Sequence, residues 1–304
     1  MIRKLLYTIL ISIFLLPSLW AEGSKYTSVS VLDTGKWVKV RVAETGVYKL
    51  TFSELKKMGF SSPEKVSVYG YGGWPLDEDF STTYIDDLPE VATYRGSDYL
   101  IFYAKGPVKW IYSLGSGFVH TNNPYSSYGY YFLTDRNDTV KSMAIQASEA
   151  GASLQLSTFN DYKLWEKEIV SVNSSGRELY GESFETTLSQ NFKVSVPGIT
   201  NDMGLATLSF IAKPTSGTGT TVMSIDGKQV ISGTFAQNTS EYTMARELNQ
   251  TVTWNGDKSE NTVVNIQYST AGHKNVRLNY FCLQMLRTLK LYDAYTLFSI
   301  CFGF

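Results

Sequence analysis

The sequence predicts a mostly β protein of two antiparallel β-domains, the second a jelly-roll-like β-sandwich, with one or two short helices. Three observations predict it. Tyr (21) and Phe (16) are abundant, and aromatic residues favour strands. Short apolar runs alternating with polar partners recur along the chain, which is the period of half-buried strands. Turn residues interrupt those runs at the regular spacing of an all-β sandwich. A length of 304 residues accommodates two domains, and an apolar share of 43% can fill two cores. The formal net charge of −1 argues against an electrostatic nucleic-acid surface.

In chain order, Arg3 and Lys4 precede an apolar run over residues 5–16, followed by Pro17, Ser18 and Ala21. That pattern is a secretory signal peptide over residues 1–21, cleaved after Ala21 or Gly23. The run is shorter than the ~20 residues of a membrane span, so no transmembrane span is expected in the mature chain. The first domain covers residues 24–150. Strands are expected over residues 26–32 and 36–42, around the turn Asp33-Thr34-Gly35, and over 47–50. A short helix follows, with Thr51 as N-cap, Glu54 completing a capping box and Gly59 ending it. Val66 and Val68 alternate with polar partners as a half-buried strand. The apolar run 100–104 reads as a strand covered on both faces. Residues 108–112, the turn Gly115-Ser116-Gly117, residues 118–126 and a strand over 130–134 complete the unit.

The second domain covers residues 151–304, with its C-terminal edge expected to be truncated. Residues 159–170 are charged and suit a helical turn, and 174–182 read as a loop. Phe192, Val194 and Val196 alternate, and residues 205–212 form a strand ended by Pro214. Asp226-Gly227 between two apolar-patterned runs specifies a tight hairpin, because both turn positions need positive φ. Residues 263–268, 276–281 and 288–298 add three strands.

Chemistry-bearing residues are few. The two cysteines, Cys282 and Cys301, make no disulfide framework and no metal spacing; a Cys282–Cys301 disulfide is the alternative to one strand residue and one tail residue. The two histidines are His120 and His273, read as a loop histidine bonding backbone groups and as a turn residue. A Cys–His dyad would need Cys282 within hydrogen-bond reach of His120. Asp77, Glu78, Asp79, Asp86 and Asp87 are dense enough for a hard cation such as calcium, but match no EF-hand spacing. Trp74, Trp110 and Tyr112 would stack on a sugar ring if exposed together. No nucleophile–base pair, phosphate loop or metal triad stands out, so catalytic, cofactor and metal residues are all read as none. The loop over 72–94 is the expected contact surface, with Trp74, Asp77, Asp79, Asp86, Asp87 and Trp110 as its candidate interaction residues.

One resemblance adds to this reading. It is carried in order by Gly35-Lys36-Trp37-Val38-Lys39-Val40, Thr45-Gly46-Val47-Tyr48-Lys49-Leu50, Met58-Gly59 and Tyr69-Gly70-Tyr71-Gly72-Gly73. Asp86-Asp87-Leu88-Pro89-Glu90, residues 98–107, His120-Thr121-Asn122-Asn123-Pro124-Tyr125 and the loop 173–182 follow, the last with Leu179 where the family has Trp. These segments resemble the N-terminal region of the PorU-type sortases of the type IX secretion system, gingipain-like cysteine peptidases of Bacteroidota. The resemblance implies a peptidase domain downstream of these β-domains, so this chain reads as truncated before it and no catalytic residue carries over. It implies that the full-length protein removes C-terminal sorting domains from cargo at the outer-membrane surface and attaches the cargo to lipopolysaccharide. The region here is then a non-catalytic scaffold, exported to the periplasm or cell surface. Its implied partners are the peptidase domain and outer-membrane components of the secretion machine. A free-standing exported adhesion or carbohydrate-binding module is the alternative, and requires Trp74 and Trp110 side by side on the surface.

Overall fold

A computed structural model of the chain describes residues 26–292, except 80, 82–84, 114, 138, 148–150, 152–154, 173 and 175, together with 296 and 298. The signal-peptide segment and Cys301 lie outside the described residues. Strands dominate, and a single short α-helix is present among the described residues. No helix there is long and apolar enough to cross a membrane.

The first half carries β1 (Val38–Val42), β2 (Gly46–Thr51), α1 (Phe52–Lys57), β3 (Ser67–Tyr69), β4 (Glu90–Val91), β5 (Thr93–Arg95), β6 (Tyr99–Ala104), β7 (Val108–Ser113), β8 (Gly117–Asn122) and β9 (Gly129–Thr134). Two antiparallel sheets, β1-β9-β3-β4 and β2-β6-β5, enclose one core. Phe102 of β6 meets Tyr131 of β9 edge to face at 5.5 Å and joins the sheets. The glycine-rich stretch after β3 exists for close backbone approach: a Cβ on Gly73 would stand 2.6 Å from the Cα of Gly129.

Helix α1 forms where the capping box predicts it. The Glu54 N–H donates to Thr51 Oγ1 at 3.2 Å, and the Thr51 N–H donates to Glu54 Oε2 at 2.8 Å. These Thr51 contacts, backbone first, hold the Glu54 carboxyl below its ordinary range. Leu55 is wholly buried. Thr51→Ala is expected to cost about 1 kcal/mol, read as a lowered urea midpoint at unchanged m-value.

The second half is β10 (Thr158–Glu166), β11 (Ser189–Ser195), β12 (Gly204–Lys213), β13 (Gly219–Ile225), β14 (Lys228–Phe235), β15 (Arg246–Trp254), β16 (Asn261–Tyr268) and β17 (Lys274–Thr288). Its sheets run β10-β17-β12-β15 and β11-β16-β13-β14. Successive strands alternate between the sheets until the tight β13–β14 hairpin and alternate again after it, which is the double Greek key of a jelly roll. The core lies between the sheets: Phe281 meets Phe192 at 5.4 Å and Phe210 meets Tyr268 at 6.0 Å. The hairpin turn is as expected, with φ of 49° at Asp226 and 80° at Gly227.

Several local expectations are corrected. Residues 159–166 are the strand β10 and not a helical turn, because continuous pairing with β17 from Thr158↔Thr288 to Glu166↔Tyr280 overrides the local charge pattern. Residues 26–32 form no strand; the N–H groups of Thr27 and Val31 donate to the carboxylates of Asp86 and Asp87 instead. β3 is buried on both faces, at Ser67, Val68 and Tyr69 alike. β6 buries one face only, Leu100, Phe102 and Ala104. On its outer face Lys49 of β2 reaches over, with its Nζ 4.2 Å from the Tyr99 ring centre. β17 ends at Thr288, and the described residues beyond it hold no strand. β15 has no counterpart in the sequence reading.

Candidate functional site

The ribbon β7–β8 links the two halves. Its register pairs Trp110 with His120 and Tyr112 with Phe118, so alternation sends these side chains to one face. That face meets the outer side of the β10–β17 sheet. Trp110 stacks on Tyr162 at 3.7 Å, Phe118 lies 5.0 Å from Tyr162, and His120 lies 4.6 Å from Tyr280. Gln284 clamps the joint: Phe118 N–H donates to its Oε1 at 2.7 Å, and its Nε2 donates to Phe118 O at 3.0 Å. Gly117 is demanded twice, by φ of +69° and because a Cβ there would stand 2.1 Å from Gln284 Oε1.

Beside this joint opens a cleft of about 1490 Å³, walled by the segment after β3, the end of β8, the end of β10, the loop 176–180 and β17. Its floor is polar. His120 Nε2 lies 3.2 Å from Glu166 Oε2, with side chains only 9% and 10% exposed. Glu168 is an exposed residue overall, yet both its carboxyl oxygens are engaged. Asn122 Nδ2 donates to Oε1 at 3.1 Å and the Leu179 N–H donates to Oε2 at 3.2 Å. Burial first, then the charge of Glu166, push the Glu168 carboxyl up to about 7, against the downward pull of the two donors. Asn279 donates to Glu178 Oε1 at 3.1 Å, and burial followed by Glu178 raises the Tyr180 hydroxyl. Among the described residues, Asn122 Oδ1 and Trp74 Nε1 of the cleft are buried without a hydrogen-bond partner.

The six candidate interaction residues do not gather in one patch. Trp74 and Asp77 line the cleft, with Lys105 Nζ 4.4 Å from the Trp74 ring centre. Trp110 faces inward under the ribbon, so the two tryptophans are not presented side by side. Asp79 accepts from Ser81 N–H at 2.9 Å in a local turn. Asp86 and Asp87 bind the 27–31 segment. Burial raises the Asp87 carboxyl, but hydrogen bonds from Val31, Leu88 and Ser30 outweigh it and leave its pKa below the ordinary value. Among the described residues no group of three or more His, Cys, Asp or Glu is placed to hold a metal ion.

His120 is corrected from a loop histidine to a strand residue facing a carboxylate. His273 is buried, its Nδ1 2.8 Å from the Tyr268 hydroxyl and its Nε2 2.9 Å from Ser216 O. Cys282 is a buried free cysteine on the sheet that the ribbon covers. Burial, then Glu166 and Asp161, push its thiol far up, the opposite of what an activated thiolate needs. Sequence reading missed Glu166, Glu168, Asn122 and Asn279. The signal was the spacing Glu166-Lys167-Glu168, which turns two carboxylates to one side where the backbone stays extended past the end of β10.

No protein-family model matches the chain, and no curated protein matches it. Among solved structures, the chain is similar to dimeric latent PorU from Porphyromonas gingivalis, with 33% identity and a TM-score of 0.80. The match covers 87% of this chain and 25% of that one, so the chain spans about a quarter of that PorU. A family 35 carbohydrate binding module from Clostridium thermocellum overlaps 42% of this chain and 98% of its own at 15% identity, with a TM-score of only 0.25. A cycloalternan-forming enzyme from Listeria monocytogenes overlaps 60% of this chain and 15% of its own at 11% identity and a TM-score of 0.21. Neither of these last two likenesses is close enough to carry an argument. The first one is, and this chain is a PorU-like N-terminal region.

Proposed function

We infer that the chain is a non-catalytic scaffold and docking region of a type IX secretion system sortase, whose full-length form removes C-terminal sorting domains from secreted cargo. The observation that carries this reading is the match to PorU over 87% of the chain at 33% identity. The chain is exported through residues 1–21 to the periplasm or outer-membrane surface. It divides near residue 150 into two units, each with its own core. The buried, raised thiol of Cys282 supports a role other than that of nucleophile. The cleft is the docking surface, because it is the place where both halves and several loops offer polar and aromatic groups together. The sugar-binding alternative is disfavoured by the inward turn of Trp110.

The test is binding of the purified chain to the purified remainder of a PorU-type sortase and to outer-membrane components of the secretion system. Trp74→Ala, with its ring at the cleft, is expected to weaken capture by roughly tenfold or more, the loss typical of an aromatic anchor. Asp86 and Asp87 are left intact, since they hold the chain's own 27–31 segment. Absence of binding by the unsubstituted chain to every one of these partners would end the docking reading.

A further inference from the structure

β1 is the outermost strand of its sheet: the order β1-β9-β3-β4 pairs it with β9 on one side only. Among the described residues, no backbone hydrogen bond joins β1 to any other segment. Val38, Val40 and Val42 face the core, while Lys39 and Arg41 face solvent. The core is incompletely covered at this edge. Leu133 and Tyr131 of β9 are 0% and 2% exposed, whereas Val38 and Val40, opposite them in the ladder, are only half-buried.

The solvent side of the same strand is cationic. Lys39 Nζ lies 3.8 Å from the Tyr130 ring centre, and the Arg41 guanidinium lies 4.7 Å from that of Tyr128. Beside Lys39, the Arg136 guanidinium is 5.1 Å from the Trp37 ring centre. Arg136 donates to Thr34 and acts on Asp87. Lys39 and Arg41 have no carboxylate within ion-pair distance among the described residues. The chain thus leaves an open strand edge, two part-covered valines and two cations without counter-charges at one place.

We propose that the open edge of β1 takes an extended segment of a partner protein as an added strand, and that this segment alternates apolar with acidic residues. Its apolar side chains close over Val38 and Val40, its carboxylates meet Lys39 and Arg41, and its main chain pairs with the free edge. Strand addition draws affinity from main-chain bonds and specificity from alternate side chains. Lys39 and Arg41, two residues apart, stand roughly 7 Å apart along the strand, which is the repeat of alternate side chains in any extended segment beside them. An exposed edge invites pairing with any strand, and charged side chains on it guard against that. Here the guard is selective, because a segment bearing carboxylates gains from the two cations and a neutral or basic one does not. The half-buried rings of Tyr128 and Tyr130 already carry these cations, which makes them poor anchors for a lipid surface and poor platforms for a sugar. None of these residues lines the cleft, so this surface is additional to the docking surface read there, and failure of either leaves the other standing.

The experiment is fluorescence anisotropy of a labelled peptide of alternating Val and Glu, long enough to span β1, titrated with the whole chain. Binding is expected, with amide NMR shifts concentrated on β1. The same peptide N-methylated throughout keeps its charges but offers no main-chain donor, and should bind at least roughly tenfold more weakly. A peptide of the same composition with its Val and Glu residues in separate blocks should lose as much. Lys39→Glu together with Arg41→Glu is expected to weaken capture of the Val–Glu peptide by roughly tenfold or more and to give capture of a Val–Lys peptide instead. Both positions are exposed, and an unchanged urea midpoint would show that the fold is intact. No binding at ~1 mM peptide, equal binding of the N-methylated or block peptide, or no effect of charge reversal would overturn the proposal. Capture by phosphatidylglycerol vesicles that the peptide does not displace would overturn it too, and would assign the cations to an anionic lipid surface.

Discussion

Gln284→Leu is expected to destabilise the chain by about 2–5 kcal/mol and to free the β7–β8 ribbon from the jelly roll. The leucine keeps much of the glutamine's volume, so lost packing is a minor part of the effect. What is lost is the pairing of both backbone groups of Phe118, which is itself 8% exposed. An unsatisfied buried donor or acceptor costs about 1–3 kcal/mol, and here two are left at once. The remaining hold on the ribbon is the Trp110–Tyr162 stack and the Phe118–Tyr162 contact, with His120 beside Glu166 and Asn122 donating to Glu168 at its β8 end. Aromatic pairs contribute about 0.5–1.5 kcal/mol beyond their burial, which is less than the clamp supplies. Urea unfolding followed by tryptophan fluorescence should therefore show a pre-transition as Trp110 leaves Tyr162, ahead of loss of far-ultraviolet signal. A destabilisation below ~1 kcal/mol with coincident transitions would mean that water satisfies Phe118 and that the rings and the β8 polar contacts suffice to hold the ribbon.

That joint marks the limit of what the residues disclose in order. Local rules are legible where the signal is local. The Thr51–Glu54 box and the Asp226-Gly227 turn each depend on a few neighbouring residues, and both form as the sequence predicts. Alternation located most strands of both halves, and the many short strands pointed to a jelly roll before any pairing was known. Residues 159–166 were misread because their charges suit a helix, and only pairing with β17, far along the chain, makes them a strand. Val66–Tyr69 and 100–104 were exchanged in burial because an apolar run does not say whether a second layer covers its other face.

The cleft was less legible than the fold. Glu166, Glu168, Asn122 and Asn279 lie on three strands or strand ends, and their convergence follows from the ribbon crossing the β10–β17 sheet. Spacing along the chain carries no trace of that crossing. The candidate loop 72–94 was the reverse case. Its carboxylates are dense in sequence, but Asp86 and Asp87 turn to the chain's own 27–31 segment, and only its Trp74 end reaches the cleft. Sequence density of like charges shows that a loop is polar, and the fold decides which of those charges is free to meet a partner.

The other large effect is expected at Arg287, where Arg287→Met should cost about 3–5 kcal/mol. The guanidinium is 7% exposed and pairs with Asp161, itself 18% exposed. Its Nε donates to Pro197 O at 2.8 Å, and Tyr292 lies over it with its ring centre 4.0 Å away. One side chain thus ties β10, the turn before β12, the end of β17 and the segment beyond it. Removing it strands a largely desolvated carboxylate and an unpaired carbonyl, which is the expensive way to break such a pair. Asp161→Asn should cost less, since the carbonyl and ring contacts of Arg287 survive. The double variant Asp161→Leu/Arg287→Met should recover part of the loss, because an apolar pair carries no buried charge. Urea midpoints for Asp161→Leu, Arg287→Met and the double variant would close the cycle and measure the coupling. Because the pair is shielded from solvent, raising the salt concentration should leave its effect nearly unchanged. Single-variant losses under ~1 kcal/mol that shrink further with salt would instead make it an ordinary surface ion pair. The end of β17 would then be held by its ladder with β10 and its backbone bonds to the 198–200 segment.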